Sequence, residues 1–113
     1  MIALAVSSIM NEAVWVPKRS DIEEALRHLA PRIPEYEASA IADHAVDSRG
    51  LNCASAQTAA WLSMVAFVRH ALTEYDELLE EGYDQEAARH FVAPEIQAVL
   101  TEWGVLRPLT PHD

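Results

Sequence analysis

Hydrophobic residues recur at helical spacing along most of the chain. The first clear stripe holds Ile22, Leu26 and Leu29 at positions i, i+4 and i+7. Ser20 precedes this stripe and lies three residues before Glu23, which is the spacing of a capping box. We therefore predict a helix that begins at Ser20 and ends at the prolines that follow.

The middle of the chain predicts two further helices that differ in character. Residues 35–48 place small apolar residues on one face, and Gly50 suits the C-terminal cap of that helix. The run from Ala59 to Val68 is apolar on nearly every side, which is typical of a helix covered by its neighbours. Ser55 is its predicted N-cap, so the central helix is predicted over 55–72.

The C-terminal third alternates helical stripes with capping and breaking residues. Thr73 followed by Asp76 repeats a helix-start pattern, which predicts a bend or break at Thr73. Asp84 then caps a short helix that reaches Val92, and Pro94 begins a new turn. No segment shows the sustained alternation that is typical of strands.

These patterns predict an all-α fold: a single compact domain of about five helices around the central hydrophobic helix, without a significant sheet. A chain of 113 residues that is 50% hydrophobic can form such a core without a metal or a disulfide. The expected division is an N-terminal leader or docking segment over 1–19, a helical domain over 20–104 and an irregular tail over 105–113.

Composition adds limits on partners and location. The formal net charge is −10 and the basic residues are scattered, which disfavours direct binding of nucleic acid and suits a basic protein partner or simple solubility. The lone Cys53 fits a reducing compartment. The first ten residues lack the features of a signal peptide, and no segment has the roughly 20 apolar residues of a membrane span. We expect a cytoplasmic protein that does not enter a membrane.

An acidic run without any basic residue extends over residues 74–86. Such a run is usually a solvated surface, but it also suits docking of a basic partner or imitation of nucleic-acid charge. A complex held by exposed charges should be sensitive to salt. The predicted partner-binding residues are Glu74, Glu77, Glu80, Glu81 and Asp84.

A second group of residues could support chemistry. Candidate catalytic residues for an acid–base or metal-dependent enzyme are Arg69, His70, Tyr75, Asp76, Arg89 and His90, and weak metal-ligand candidates are His70, Glu74 and His90. No strong metal-ligand spacing, phosphate loop or nucleophile–base pair accompanies them, so we expect no cofactor. The structural alternative, which we favour, is a clasp between Asp76 and Arg89 or Arg69.

The segment VRHALTEYDELLEEGYDQEAARHFVAPEIQAVLTEWG, within residues 61–104, resembles an uncharacterised family of bacterial and fungal proteins, the domain of unknown function 2293 family. The pattern RH-x-x-T-x-YD-x-LL followed by D-x-x-x-AR gives the resemblance. The matching residues are Arg69, His70, Thr73, Tyr75, Asp76, Leu78, Leu79, Gly82, Asp84, Ala88 and Arg89. The resemblance implies a small helical domain and transfers no activity.

The sequence therefore favours a small acidic cytoplasmic protein-interaction or accessory domain without catalysis of its own, with a protein partner or a second copy of the chain. One alternative is an enzyme that uses the cluster of Arg69, His70, Asp76, Arg89 and His90. Another is an acidic inhibitor of a nucleic-acid-binding complex.

Overall fold

The computed structural model describes residues 18–48 and 54–113, and within these ranges the chain forms five α-helices and no strand. The predicted all-α fold is confirmed. Predictions for Gly50, Cys53 and the N-terminal leader lie wholly or almost wholly outside the described residues. The helices are α1 (Arg19–Leu29), α2 (Glu35–Asp47), α3 (Ala56–Leu72), α4 (Tyr75–Glu80) and α5 (Gln85–Glu102).

The first helix begins earlier than the capping pattern indicates. Lys18 is the N-cap residue, and its backbone N–H donates to Oδ2 of Asp21 at 3.1 Å. The prediction of Ser20 as the N-cap was wrong, because Asp21 reaches back and satisfies the free amide of Lys18. Arg19 also favours the earlier start, since its guanidinium binds the carboxylate of Asp43 and the hydroxyl of Ser39 on α2.

The central position of α3 is confirmed. Ser55 caps its first turn by accepting a hydrogen bond of 3.1 Å from the amide of Thr58. Helices α1, α2, α4 and α5 all pack against α3. Its buried apolar side chains belong to Ala59, Ala60, Trp61, Met64, Val65 and Val68.

The break after α3 lies where the sequence predicted it. The Thr73 hydroxyl donates to the carbonyl of Arg69 at 2.5 Å and accepts from the amide of Tyr75 at 3.2 Å. One side chain therefore closes α3 and starts α4. Asp76 does not cap α4; it binds His70 instead.

The last helix is longer than predicted. Asp84 caps α5 by accepting from the amide of Ala87 at 2.7 Å, but the helix does not stop at Val92. It continues through Pro94 to Glu102, so the predicted restart at Pro94 was wrong. Pro94 cannot donate to the carbonyl of His90, yet both residues are exposed and water can serve that carbonyl. A continuous buried stripe favours the longer helix: Ala88, Val92, Ile96 and Leu100.

The loop between α1 and α2 covers the end of α5. The backbone N–H of Arg32 donates to the carbonyl of Trp103 at 2.9 Å. Its guanidinium donates to the carbonyls of Glu102 at 3.2 Å and Thr101 at 3.3 Å. The last carbonyls of a helix lack i+4 donors, and of these three only the Thr101 carbonyl also accepts from a backbone amide, that of Gly104 at 3.0 Å. Arg32 therefore holds the α1–α2 loop against the C-terminal end of α5.

Candidate functional site

Residues 105–113 fold back along the bundle, and Asp113 fixes the end of this C-terminal segment. Its Oδ1 accepts a hydrogen bond of 2.9 Å from the indole Nε1 of Trp61. Its Oδ2 accepts from the backbone amide and hydroxyl of Thr110 at 2.9 and 3.0 Å. The main-chain oxygen of Asp113 accepts from Nη2 of Arg69 at 2.6 Å. The segment is therefore tied to α3 at two points.

These contacts determine the ionisation of Asp113. Burial by itself would raise the pKa of this carboxyl, but the bonds from Trp61 and Thr110 favour the charged form, as does the positive charge of Arg107. The sum lowers the pKa of Asp113 below its ordinary value. The Arg107 guanidinium also lies over the Trp61 ring, 4.1 Å from its centroid.

Arg69 is a buried cation on the last turn of α3. Its side chain is 7% exposed, and its guanidinium lies 5.7 Å from the ring centroid of Tyr75. Burial lowers the pKa of Arg69, and the nearby charge of Arg89 lowers it further. Within the described residues, Nε of Arg69 has no hydrogen-bond partner. This guanidinium is therefore positioned but incompletely satisfied.

A cleft of about 600 Å³ opens beside Arg69, between α3, α5 and the C-terminal segment. Charged and polar groups line part of it, and apolar side chains line the rest. The polar lining residues besides Asp113 are Arg69, Gln85, Glu86, Arg89, His90 and Thr110, and the apolar ones are Ala93, Ile96, Leu109 and Pro111.

The structure divides the predicted cluster between two places. Arg69, Arg89 and His90 line the cleft. His70 and Asp76 do not; they form an exposed pair in which Nδ1 lies 2.7 Å from Oδ1 of the carboxylate.

Tyr75 is buried next to this exposed pair. Its ring meets that of His70 edge to face, with a centroid distance of 5.3 Å. The candidate enzyme residues are thus divided between the cleft and the surface. Tyr75 lies between the two groups, because it is adjacent to Arg69 of the cleft and to His70 of the surface pair.

The predicted clasp of Asp76 with an arginine was wrong. The carboxylate pairs with His70, which reaches it across the break at Thr73, whereas Arg69 turns to Asp113. In the described part of the chain, Arg89 forms no salt bridge and no side-chain hydrogen bond. Across residues 18–48 and 54–113, no three His, Cys, Asp or Glu side chains are grouped so that they could hold a metal ion.

The predicted partner-binding residues lie together on α4 and the turn that follows it. Glu74, Glu77, Glu80 and Glu81 are exposed, and none of their side chains forms a hydrogen bond or salt bridge within the described residues. Asp84 is also exposed but caps α5. We refer to these five residues as the acidic face.

The family comparison decides the identity of the chain. The model of a family described as an uncharacterized conserved protein, DUF2293, matches residues 25–104. The chain belongs to the DUF2293 family. No curated protein and no solved structure matches it. The DUF2293 match includes α2 to α5, the C-terminal part of α1 (residues 25–29) and the acidic face, but it stops before the C-terminal segment that lines the cleft.

The sequence did not predict that residues of the C-terminal segment would line the cleft. Thr110 and Asp113 carry no motif, and nearby prolines indicate an irregular segment. The one signal in the sequence was hydrophobic: Val105 is buried and Leu109 is partly buried in the structure. Apolar residues in a proline-rich tail indicate that the tail needs a surface to cover. They do not indicate which surface.

As for membranes, the helices in the described ranges include none that is long and apolar enough to cross one.

Proposed function

We propose that this DUF2293 protein is a protein-interaction or accessory domain without catalysis of its own, and that it binds a basic partner through the acidic face. The single observation that carries the proposal is a set of negative charges without positive partners. Four glutamates of one face are exposed to solvent, and no cation of the described chain pairs with them. Unpaired like charges attract a complementary surface over roughly 10 Å at 0.1 M salt.

The position of the face supports the same proposal. Helix α4 packs its buried side, Tyr75 and Leu78, against the rest of the bundle. The opposite side is then held in one orientation on a folded support. A fixed array of charges selects a partner better than a mobile one, because less ordering entropy is lost on binding.

An acid–base enzyme receives less support. His70 and Asp76 form a suitable proton-transfer pair, but both are exposed and neither lines the cleft that contains Arg89 and His90. An efficient site needs these groups close to one bound substrate. An acidic inhibitor of a nucleic-acid-binding complex remains an outcome of the test below, because it would use the same face.

The test compares three immobilised baits in extracts of the native host. One is the wild-type chain, and one carries Glu77→Gln, Glu80→Gln and Glu81→Gln. The third removes the same charge elsewhere through Glu24→Gln, Glu35→Gln and Glu95→Gln, all at exposed positions. We expect the wild type and the matched control to retain the same partner, and the acidic-face variant to lose it.

The recovered partner should then be purified and titrated against the wild type at increasing salt. We expect binding to weaken steeply as the screening length falls from about 10 Å toward about 3 Å at 1 M salt. Circular dichroism shows whether all three baits are equally folded. Equal recovery by the three baits, or binding that salt does not change, would overturn the proposal. A nucleic-acid-binding partner would identify the inhibitor form.

A further inference from the structure

We propose that the exposed side of α5 binds an amphipathic helix of a partner protein, through an apolar stripe and two glutamates beside it. The partner helix would carry apolar residues on one face and lysine or arginine along the edge of that face. The stripe consists of Ala87, Phe91, Pro94 and Ala98, and we refer to it as the α5 stripe. It shares no residue with the acidic face, so the inference is independent of the proposed function.

The α5 stripe has the spacing of a surface that packs against another helix. Its residues follow one another at intervals of four, three and four positions, which places them on one face of a continuous helix. Apolar residues with this spacing form the line of contact between two packed helices. From Ala87 to Ala98 the stripe extends about 16 Å at 1.5 Å per residue, which is about three turns.

The described chain leaves the α5 stripe exposed. All four of its residues are exposed, and the side chain of Phe91 has a relative exposure of 61%. The side of α5 that faces the core is a different one, formed by Ala88, Val92, Ile96 and Leu100. Phe91 therefore contributes little to the core, whereas covering its ring with a partner would be favourable.

Pro94 leaves a hydrogen-bond acceptor on the same side of α5. In a regular helix the amide of residue 94 would donate to the carbonyl of His90, but proline has no N–H. This carbonyl points along the helix toward Pro94 and thus toward the α5 stripe. A lysine or arginine at the edge of a bound helix would be a suitable donor to it.

The residues beside the α5 stripe indicate the charge of the partner. Glu95 and Glu102 follow Phe91 and Ala98 by four positions and therefore lie along one edge of the stripe. Both glutamates are exposed, and neither forms a salt bridge within the described chain. Arg89 is the only lysine or arginine of α5, and it lines the cleft on the opposite side. A partner helix with cations at its edge would complement the two glutamates.

The same edge residues disfavour a second copy of this chain as the occupant. Neither edge of the α5 stripe carries lysine or arginine, because the other edge holds His90 and Thr101. Two copies joined along α5 would therefore offer no lysine or arginine to Glu95 and Glu102. They would also bring together two chains that each have a formal net charge of −10.

The test is a nuclear magnetic resonance titration of the ¹⁵N-labelled full chain with three synthetic helical peptides. The first peptide has leucine at the a and d positions of each heptad and lysine at the e and g positions. The second has glutamate in place of lysine, and the third has serine in place of leucine. We expect only the first to bind, with a dissociation constant of about 100 μM or tighter, and to shift the amide signals of α5.

Phe91→Ser is the decisive variant, because an exposed side chain can be removed without opening a cavity in the core. We expect it to weaken binding of the first peptide about tenfold or more. Tyr36→Ser is the matched control. It removes an aromatic side chain that is 78% exposed on α2, and it should leave binding unchanged. Circular dichroism shows whether both variants are folded.

A second pair of variants tests the charge of the edge. Glu95→Gln combined with Glu102→Gln should weaken binding of the first peptide about fivefold, because two exposed ion pairs are lost. Glu24→Gln combined with Glu35→Gln removes the same charge from exposed positions elsewhere and should leave binding unchanged. The acidic-face variant should bind the first peptide as the wild type does, which separates this proposal from the previous one.

Four results would overturn the proposal. The first is that the lysine peptide does not bind the folded wild type. The second is that the glutamate peptide binds equally well, which would show an apolar surface without charge recognition. The third is that Phe91→Ser and Tyr36→Ser weaken binding equally. The fourth is that sedimentation without peptide shows a dimer that Phe91→Ser dissociates, which would identify a second copy as the occupant.

Discussion

The indole Nε1 of Trp61 donates a hydrogen bond of 2.9 Å to Oδ1 of Asp113, a residue 52 positions later in the chain. Trp61 is 1% exposed and lies within the central helix. The bond joins the most buried part of the bundle to the end of the C-terminal segment. The same aspartate accepts from Thr110, so this contact orders one wall of the cleft.

Trp61→Phe tests this link. The change keeps an aromatic ring in the core but removes the Nε1–H donor and weakens the stacking of Arg107. We expect a loss of about 1–3 kcal/mol in the free energy of unfolding, whereas Trp61→Ala should lose about 3–5 kcal/mol or more because it leaves a cavity. Denaturant titration measures both.

Trp103→Phe is the matched control, since Trp103 is also buried but its indole donates no hydrogen bond within the described residues. It should cost less than Trp61→Phe. Equal costs would mean that the bond to Asp113 contributes nothing measurable.

Asp113 predicts a particular dependence of stability on pH. Its pKa is lowered in the folded chain, so its stabilising effect is complete above the ordinary aspartate pKa of about 3.9 and is lost as pH falls through the lower folded value. We expect wild type to exceed Asp113→Asn in stability near neutral pH, and this difference to shrink as the solution is acidified below about pH 4. Thermal unfolding at a series of pH values measures it. A difference that stays constant throughout the acid range would contradict the assignment.

The Thr73 hydroxyl closes one helix and starts the next, so its removal should affect both. We expect Thr73→Val, which keeps the shape but loses the hydroxyl, to cost about 1–2 kcal/mol because the amide of Tyr75 and the carbonyl of Arg69 both lose a partner. Thr73→Ser keeps the hydroxyl and should cost much less. Denaturant titration of the pair gives the result, and similar losses in the two variants would mean that packing of the methyl group matters more.

Substitution by alanine should lower the stability of the fold by different amounts at the two glycines that have positive φ. Gly82 has φ +105° and open space where a Cβ would lie, whereas Gly104 has φ +89° and would bring a Cβ to 3.1 Å from Cδ of Pro31. Backbone strain should cost about 1–2 kcal/mol at each site. Gly104→Ala should cost more, because it also disturbs the loop through which Arg32 covers the end of α5. Melting temperatures of the two variants test this order, and a larger loss for Gly82→Ala would contradict it.

Features that depend on neighbours in the sequence were predicted well. Ser55 and Asp84 cap helices because their side chains reach amides three residues away, and Thr73 breaks the chain for a similarly local reason. Pro94 shows the limit of such reasoning. Its local tendency to end a helix was outweighed by a buried stripe that runs along the whole of α5.

The candidate site was only partly predictable. Arg69, Arg89 and His90 were predicted as members of one candidate cluster although they come from separate helices, and they do line one cleft. The partner of Asp76 was misjudged because a hydrogen bond to His70 and a clasp with an arginine are equally compatible with the spacing. The contribution of Asp113 could not be seen, since long-range contacts depend on the path of the chain.

Periodicity and capping act within a few residues, so the sequence alone predicts the helical class, the central apolar helix, two caps and the break at Thr73. The tertiary structure decided where α1 begins, whether α5 passes Pro94 and which groups surround Arg69. These features depend on burial and hydrogen bonds between distant segments. Trp61 and Asp113 meet for that reason, and no pattern within either segment specifies the other.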